Sequence, residues 1–455
     1  MTYPCVMDEC LDIFGQQTFT INIQSCFCFP LDDASPSAHS VIIDTLARGL
    51  ERLRASFPWL SGQVVNEGSG DGDTGRFMIR PLENLPQLVV KNLQHDPRVA
   101  TMKVLRRANF PMSMLDQDTL APRKIFPEDS SEPAPVFLVQ ANFVVGGLLL
   151  TFVAQHNAMD ATGLGHIIGL FSKACRNEPF NDHELRDTNL PRPNIVPLLK
   201  QSDMMGAELD RYIVTTAPYS TPSEARGSLP PKCIWTSFKF SPRSLKRLKS
   251  TAMGSLSTPS FVSTDDALTA FIWQSVARVR LLRLDPSVRS TLMRAVDVRS
   301  PLGISPFYPG PIQSNVYTEF TLQGLVEESL GGVALELRSA LDDKSRLNHH
   351  TRAITTFLSH TSDKNIFSFS AKLDTTTDLI LSSWAKVESY CYDFSLGLGL
   401  PEAVRKPRCN EVEGLTFLLP KTPEGEVVVA LCLRGEDIER LQSDVDFINY
   451  AEYIG

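Results

Sequence analysis

Leu148-Leu149-Leu150-Thr151-Phe152-Val153-Ala154-Gln155-His156-Asn157-Ala158-Met159-Asp160 is the stretch from which the rest of the chain is best understood. Leu148 to Val153 form an almost unbroken apolar run, the pattern of a strand buried on both faces. Gly146 and Gly147 supply a turn from an earlier apolar run, Val136 to Val144. At its far end the run delivers His156, with Asp160 four positions later. Leu164, Ile167, Ile168, Phe171 and Ala174 then recur at helical spacing, after Thr162, Gly163 and Gly165 at the turn. Strand, polar turn and helix place a titratable ring on a rigid rim, where reacting groups tend to lie. The plain alternative is a hydrogen-bonded core histidine with Asp160 as a helix cap, and the pattern alone leaves both open. His183 and Asp187 repeat the spacing within a polar stretch, so they read as a solvated surface helix.

A chain of 455 residues exceeds one ordinary core, which predicts two or three domains. Its net charge of −8 gives no general attraction to nucleic acid or anionic membrane. No apolar run approaches the ~20 residues of a membrane span. Met-Thr-Tyr-Pro-Cys at the start lacks the basic and apolar regions of a signal peptide. Nine scattered cysteines without a Cys-x-x-Cys pair fit reduced thiols in the cytosol. His349 and His350 have no ligand cluster at metal spacing, so no metal site is expected.

Alternation in Phe19 to Ile23 predicts an early strand, and Ser40 to Phe57 an amphipathic helix stopped by Pro58. The cluster Gly68-Ser69-Gly70-Asp71-Gly72 lacks a following lysine and helix, so it reads as a hairpin tip rather than a phosphate cradle. Prolines 191, 193, 197, 218, 222, 230 and 231 break up residues 187–232. That segment is the expected crossover between an N-terminal domain, 1–186, and a C-terminal domain, 233–455. Beyond it the pattern predicts a strand at Trp235 to Phe240 and a basic helix at Ser241 to Thr251. A long helix opens at the cap cluster Ser263-Thr264-Asp265-Asp266. Strands follow at Met293 to Arg299, Leu379 to Val387 and Val427 to Leu433, with a helix at Glu327 to Leu341. Alternating helices and strands give an α/β (α+β) class with mixed sheets.

His156-Asn157-Ala158-Met159-Asp160 resembles the His-x-x-x-Asp motif of BAHD-type acyltransferases, and Asp393-Phe394-Ser395-Leu396-Gly397-Leu398-Gly399 resembles that family's late Asp-Phe-Gly-x-Gly motif. The closer likeness is to the fungal, trichothecene 3-O-acetyltransferase-like branch. It is densest in Phe57 to Val64, Ser172 to Asn177, Phe261 to Leu268 and Leu381 to Val387. The resemblance implies two chloramphenicol-acetyltransferase-like domains with a tunnel between them, entered by acetyl-CoA from one mouth and an acceptor alcohol from the other. It implies His156 as general base, with acetyl-CoA as co-substrate and no permanently bound cofactor. By the same resemblance Asp160 pairs with Arg299 and is structural, as are Asp393 and Gly397. Ser395 stands where the family has a glycine, and a left-handed backbone there would strain serine. Lys246 and Lys249 are candidates for the coenzyme phosphates, against the alternative of a solvated helix face. Ser263, Thr264 and Asp265 match a loop beside the coenzyme arm, with helix capping as the bland reading. Ser383 and Trp384 match a tunnel strand, with plain core as theirs. Gln155 and Ala161 depart from condensation-type domains, which carry a histidine before the motif and a glycine after it. A non-transferase that reuses the fold for binding or cyclisation is the other rival. A cytoplasmic monomer acting on small molecules is expected.

Overall fold

The apolar run of the motif is the middle strand, Gly147–Gln155, of a five-stranded sheet. Its order is Ala403–Arg405, Asn22–Pro30, Gly147–Gln155, Phe137–Val144, Leu88–Asn92. The structure is a computed structural model that describes residues 9–33, 35–82, 87–127, 132–200, 209–214, 232–257 and 260–455. The residues of the expected leader-free start, Met1 to Cys5, lie outside the described residues, as do Pro218, Pro222, Pro230 and Pro231 of the crossover.

Every residue of the motif strand is buried, and the reason is that its two faces serve two cores. Leu148, Leu150, Phe152 and Ala154 pack with the helices Pro36–Ser56 and Ala161–Cys175. Leu149 faces the other way, with Cys26, Cys28, Met102, Leu105 and Phe110. No position along the strand meets water, so no polar alternation survives in the sequence. Each fully buried leucine or phenylalanine contributes about 1.5–3 kcal/mol. Gly146 makes the hairpin turn at φ 76°, a left-handed conformation natural to glycine.

The second sheet has seven strands, in the order Gln313–Thr321, Arg289–Asp297, Leu379–Ser383, Leu415–Leu418, Val427–Arg434, Cys233–Phe240, Ala451–Tyr453. Leu379–Ser383 runs parallel to both neighbours and the remaining pairs are antiparallel. The helices Thr264–Arg280, Pro242–Gly254 and Leu330–Asp342 share its core. The α/β class with mixed sheets and flanking helices is therefore observed. A small third sheet joins Glu9–Cys10, Arg76–Pro81 and Gly62–Glu67, and its exposed tip carries the glycine cluster, with Gly70 bridged to Asp73.

Several expectations shift. The early strand begins at Asn22, because its pairing with the motif strand starts at Gln155. The strand expected at Met293 to Arg299 is Arg289–Asp297, and Arg299 instead opens a helical turn, Arg299–Leu302. The strand at Leu379 stops at Ser383. The polar helix is Asp182–Thr188, but it is not solvated throughout: Asp187 is buried and accepts the Ser305 hydroxyl at 2.7 Å. The strand Ala403–Arg405, from late in the chain, completes the sheet that carries His156, pairing Ala403 with Cys28 and Arg405 with Cys26.

Candidate active site

The loop that carries His156 is held by its backbone. His156 N–H donates to Ile21 O at 2.8 Å, and Asn157 N–H to the Gln155 side chain at 2.7 Å. The Asn157 amide donates to the carbonyls of Gly15 at 2.8 Å and Gln17 at 2.7 Å. Arg192, stacked 4.5 Å over Trp59, donates to Ala158 O at 2.7 Å. Each bond satisfies a buried polar group that a sharp strand-to-helix turn would otherwise strand.

Asp160 caps the helix Ala161–Cys175, accepting Gly163 N–H at 2.8 Å. Arg299 grips the same carboxylate with two nitrogens, each at 2.9 Å, and Ile312 N–H adds a bond at 3.1 Å. Four donors fill the carboxylate, which leaves it no role as a proton acceptor. Arg299 is 2% exposed and also donates to the carbonyls of Tyr308 at 3.0 Å and Gly310 at 2.6 Å, and to Asp297 at 3.1 Å. Burial pulls the guanidinium pKa down, but the carboxylates of Asp160 and Asp297 outweigh it and hold the value above the ordinary range. Joining residues 139 positions apart, this bidentate contact pins the histidine loop to the turn that follows Arg289–Asp297.

The ring itself is left partly open. Gln155, Asn157 and Asp160 are buried, while His156 keeps some surface toward solvent. Burial lowers its pKa, against a hydrogen bond to its own backbone carbonyl and the nearby Asp160 carboxylate, which raise it; the Lys406 charge lowers it further. The net shift is downward, so the imidazole is neutral at pH 7. With the proton on Nδ1, the neutral ring offers the lone pair of Nε2.

The remaining predicted residues fall into separate groups. Ser263 caps Thr264–Arg280 in a reciprocal capping box with Asp266. Asp265 pairs with Arg294 at 2.9 Å and accepts the Ser383 hydroxyl at 3.0 Å, so these residues meet although 118 positions separate Asp265 from Ser383. Thr264 begins the helix beside them, part-buried. The Lys249 ammonium lies 4.8 Å over the exposed ring of Phe261, two residues before the cap, and Lys246 is exposed one turn earlier on the same helix. Trp384 is buried, with Nε1 donating to Ser382 Oγ at 3.1 Å. The second motif docks on the motif helix and the motif strand. Asp393 O accepts the Ser172 hydroxyl at 2.7 Å and Arg176 at 2.6 Å, and Phe394 stacks on Phe152 of the motif strand with centroids 5.6 Å apart. Ser395 has φ 55° and Gly397 φ 74°, and Ser395 N–H donates to the Asp393 carboxylate at 2.8 Å. Cavities of about 310 Å³, beside Cys10 and Lys364, and about 300 Å³, beside His166 and Tyr392, are not lined by His156. Among the described residues no His, Cys, Asp or Glu group is arranged to hold a metal ion. No helix among them is long and apolar enough to cross a membrane.

Asn157, Arg192 and Lys406 had no sequence reading. Asn157 sits inside the motif, but its grip on residues 15 and 17 has no local signal. Lys406 hides in the charge run Arg405-Lys406-Pro407-Arg408, yet it is only 4% exposed.

A family model for the transferase family matches residues 113–448, and one for the trichothecene 3-O-acetyltransferase-like N-terminal domain matches residues 21–175. The chain belongs to the transferase family. It is a CoA-dependent O-acyltransferase of the BAHD type. The O-acetyltransferase dmxR13 of Cryptosporiopsis sp. (strain 8999) is 51% identical to it, over 99% of this chain and 98% of that protein. Trichothecene 3-O-acetyltransferase TRI101 of Fusarium sporotrichioides is 45% identical, over 98% of this chain and 97% of that enzyme. A crystal structure of the F. sporotrichioides enzyme complexed with coenzyme A and T-2 superposes with TM-score 0.91 at 44% identity, covering 98% of this chain and 100% of that one.

Proposed function

We propose that this transferase moves the acetyl group of acetyl-CoA to a hydroxyl of a fungal secondary metabolite, with the 3-hydroxyl of a trichothecene as the leading acceptor. The observation that carries the proposal is His156 itself, a neutral imidazole with open surface at the end of a buried strand, on a loop locked by Asp160 and Arg299. Nε2 takes the hydroxyl proton as the alcohol oxygen attacks the thioester carbonyl. The tetrahedral oxyanion collapses, the carbon–sulfur bond breaks, and His156 returns the proton to the thiolate. No acyl-enzyme is required. A positioned base contributes roughly 10²–10⁴ in rate, and alignment of the two substrates with oxyanion stabilisation supplies the remainder.

In this reading Asp160 and Arg299 position the base, and Asp393 and Gly397 shape a structural loop. Lys246 and Lys249 meet the coenzyme phosphates as point charges. Ser263, Thr264, Ser383 and Trp384 border the pantetheine arm, and Asp265, already committed to Arg294, holds that border in place. We divide the chain at 187–232 into acyltransferase domains 1–186 and 233–455, the second lending Ala403–Arg405 to the first. The protein acts as a cytoplasmic monomer without nucleic-acid or membrane partners, in keeping with its net charge of −8. Another terpenoid, polyketide or alkaloid alcohol is the alternative acceptor, since a methylene or hydroxyl in a pocket shifts binding by only ~1–3 kcal/mol.

Incubation with acetyl-CoA and a panel of alcohols that includes a trichothecene with a free 3-hydroxyl tests this. Thiol release coupled to a mass gain of one acetyl group on the trichothecene is the expected result. Release with a different alcohol alone moves the acceptor, and no release with any alcohol favours a binding or cyclisation protein.

A further inference from the structure

Lys406 follows directly on the edge strand Ala403–Arg405 of the His156 sheet. Its ammonium reaches across to the other sheet, 5.0 Å over the ring of Trp384 and 4.7 Å over that of Phe417. Two aromatic faces attract a cation but do not neutralise it. Its basic neighbours turn elsewhere: Arg405 donates to the carbonyls of Phe110 and Asn109 and to the Tyr390 hydroxyl, and Arg408 reaches Asp116 at 3.5 Å. Among the described residues no carboxylate forms an ion pair with Lys406. The titratable groups facing it are Cys409, three residues on, and His156 from the loop after the motif strand; Trp384 and Phe417 bring no charge. Burial lowers its pKa to about 8, with Cys409 opposing weakly. A buried cation without a counter-ion is costly to keep, and such a group is most useful where a reaction creates the missing charge.

We propose that Lys406 is the counter-charge of the acyl transfer: it balances the negative charge that passes from the alcohol oxygen through the carbonyl oxygen to the coenzyme A sulfur. The inference rests on His156 as base and on Trp384 bordering the thioester. The alcohol O–H bond breaks and its proton moves to His156 Nε2. The new C–O bond forms while the carbonyl π pair moves onto oxygen. That pair returns, the C–S bond breaks with its electrons on sulfur, and His156 gives the proton to sulfur. Throughout, the Lys406 field lowers the energy of the anion. It also makes the imidazolium a stronger acid, which favours the final proton return. Lys406 acts through the field at the reacting atoms and is a positioning residue.

The test is the pH dependence of turnover in the full-length wild type, Lys406→Met and Lys406→Arg. The wild type is expected to lose kcat on a basic limb near pH 8, as Lys406 deprotonates. Lys406→Met keeps the stem against Trp384 and Phe417 and removes the charge. It is expected to cut kcat roughly 10–100-fold, to leave KM for acetyl-CoA within about twofold, to lose the basic limb and to move the acid limb to higher pH. Lys406→Arg retains a permanent cation, recovers part of kcat and shifts the basic limb out of range. A folded Lys406→Met with wild-type kcat and both limbs in place overturns the proposal. So does a basic limb that stays put in Lys406→Arg, which decides the matter even if the methionine variant fails to fold. His156→Ala, assayed alongside, separates the two readings: turnover there refutes the base assignment, whatever Lys406 does.

Discussion

Replacing Asp160 by asparagine tests whether its carboxylate is a clamp or a reactant. The two oxygens receive four donors: Gly163 N–H at 2.8 Å, two Arg299 nitrogens at 2.9 Å each, and Ile312 N–H at 3.1 Å. Asparagine keeps one acceptor oxygen and turns an NH₂ group toward two of those donors, whichever way the amide lies. It also removes the main counter-charge of a guanidinium that is 2% exposed, leaving Asp297, whose side chain is 44% exposed, as the remaining partner. Breaking one side of such a buried pair costs about 3–5 kcal/mol. Against a typical total stability of ~5–15 kcal/mol, that is enough to reduce soluble yield. Urea unfolding of the wild type, Asp160→Asn, Arg299→Met and the double variant measures it. The single variants are expected to lower the midpoint strongly, and the double variant to cost less than the sum of the two by roughly 1–3 kcal/mol, because neither partner is then left alone. Turnover should fall in step with the folded fraction. An Asp160→Asn protein that unfolds at the wild-type midpoint yet turns over no substrate would refute the clamp and place the carboxylate in the chemistry.

The acid limb of kcat/KM should lie below the ordinary imidazole value of about 6.5. Burial disfavours the charged ring of His156, so the active neutral form persists as pH falls and is lost only on passing the lowered pKa; a limb above 6.5 contradicts this. Ser395→Gly should raise the unfolding free energy by about 0.5–1 kcal/mol, because Ser395 holds φ 55° and glycine enters that region without a Cβ penalty; an unchanged or lower unfolding midpoint argues against strain. Gly163→Ala should destabilise by about 1–3 kcal/mol or more, since the added Cβ would collide with the backbone carbonyl of Pro309, which packs against the motif helix from the far part of the chain; a neutral midpoint would mean the helix start yields freely.

What the sequence revealed and what it hid have physical causes. The motif strand was legible because burial on both faces leaves an unbroken apolar run, and the helix starts at Asp160 and Ser263 because capping is local chemistry. The bond between Asp160 and Arg299 joins residues 139 positions apart, a distance that no local spacing reports; only the likeness to a family pointed to it. Asp187 misled because its spacing from His183 looks like a surface helix, while its oxygen is taken by Ser305 of a distant segment. Ala403–Arg405 has three residues and runs into Lys406-Pro407-Arg408, so nothing in its composition separates it from an exposed loop. Lys406 escaped notice for the same reason, because its two aromatic partners come from the other sheet.

That short borrowed strand has a bearing on how the protein is made. On its outer side Asn22–Pro30 is paired at Cys26 to Cys28 with Ala403–Arg405, and Cys28 O also accepts Glu402 N–H at 2.9 Å. During synthesis the early sheet therefore waits on the ribosome with an open, apolar rim, the kind that invites pairing with other chains. Only when nearly the whole polypeptide has emerged can that rim be sealed, so completion of the histidine-bearing sheet is a late event and a nascent first half is a natural client for chaperones.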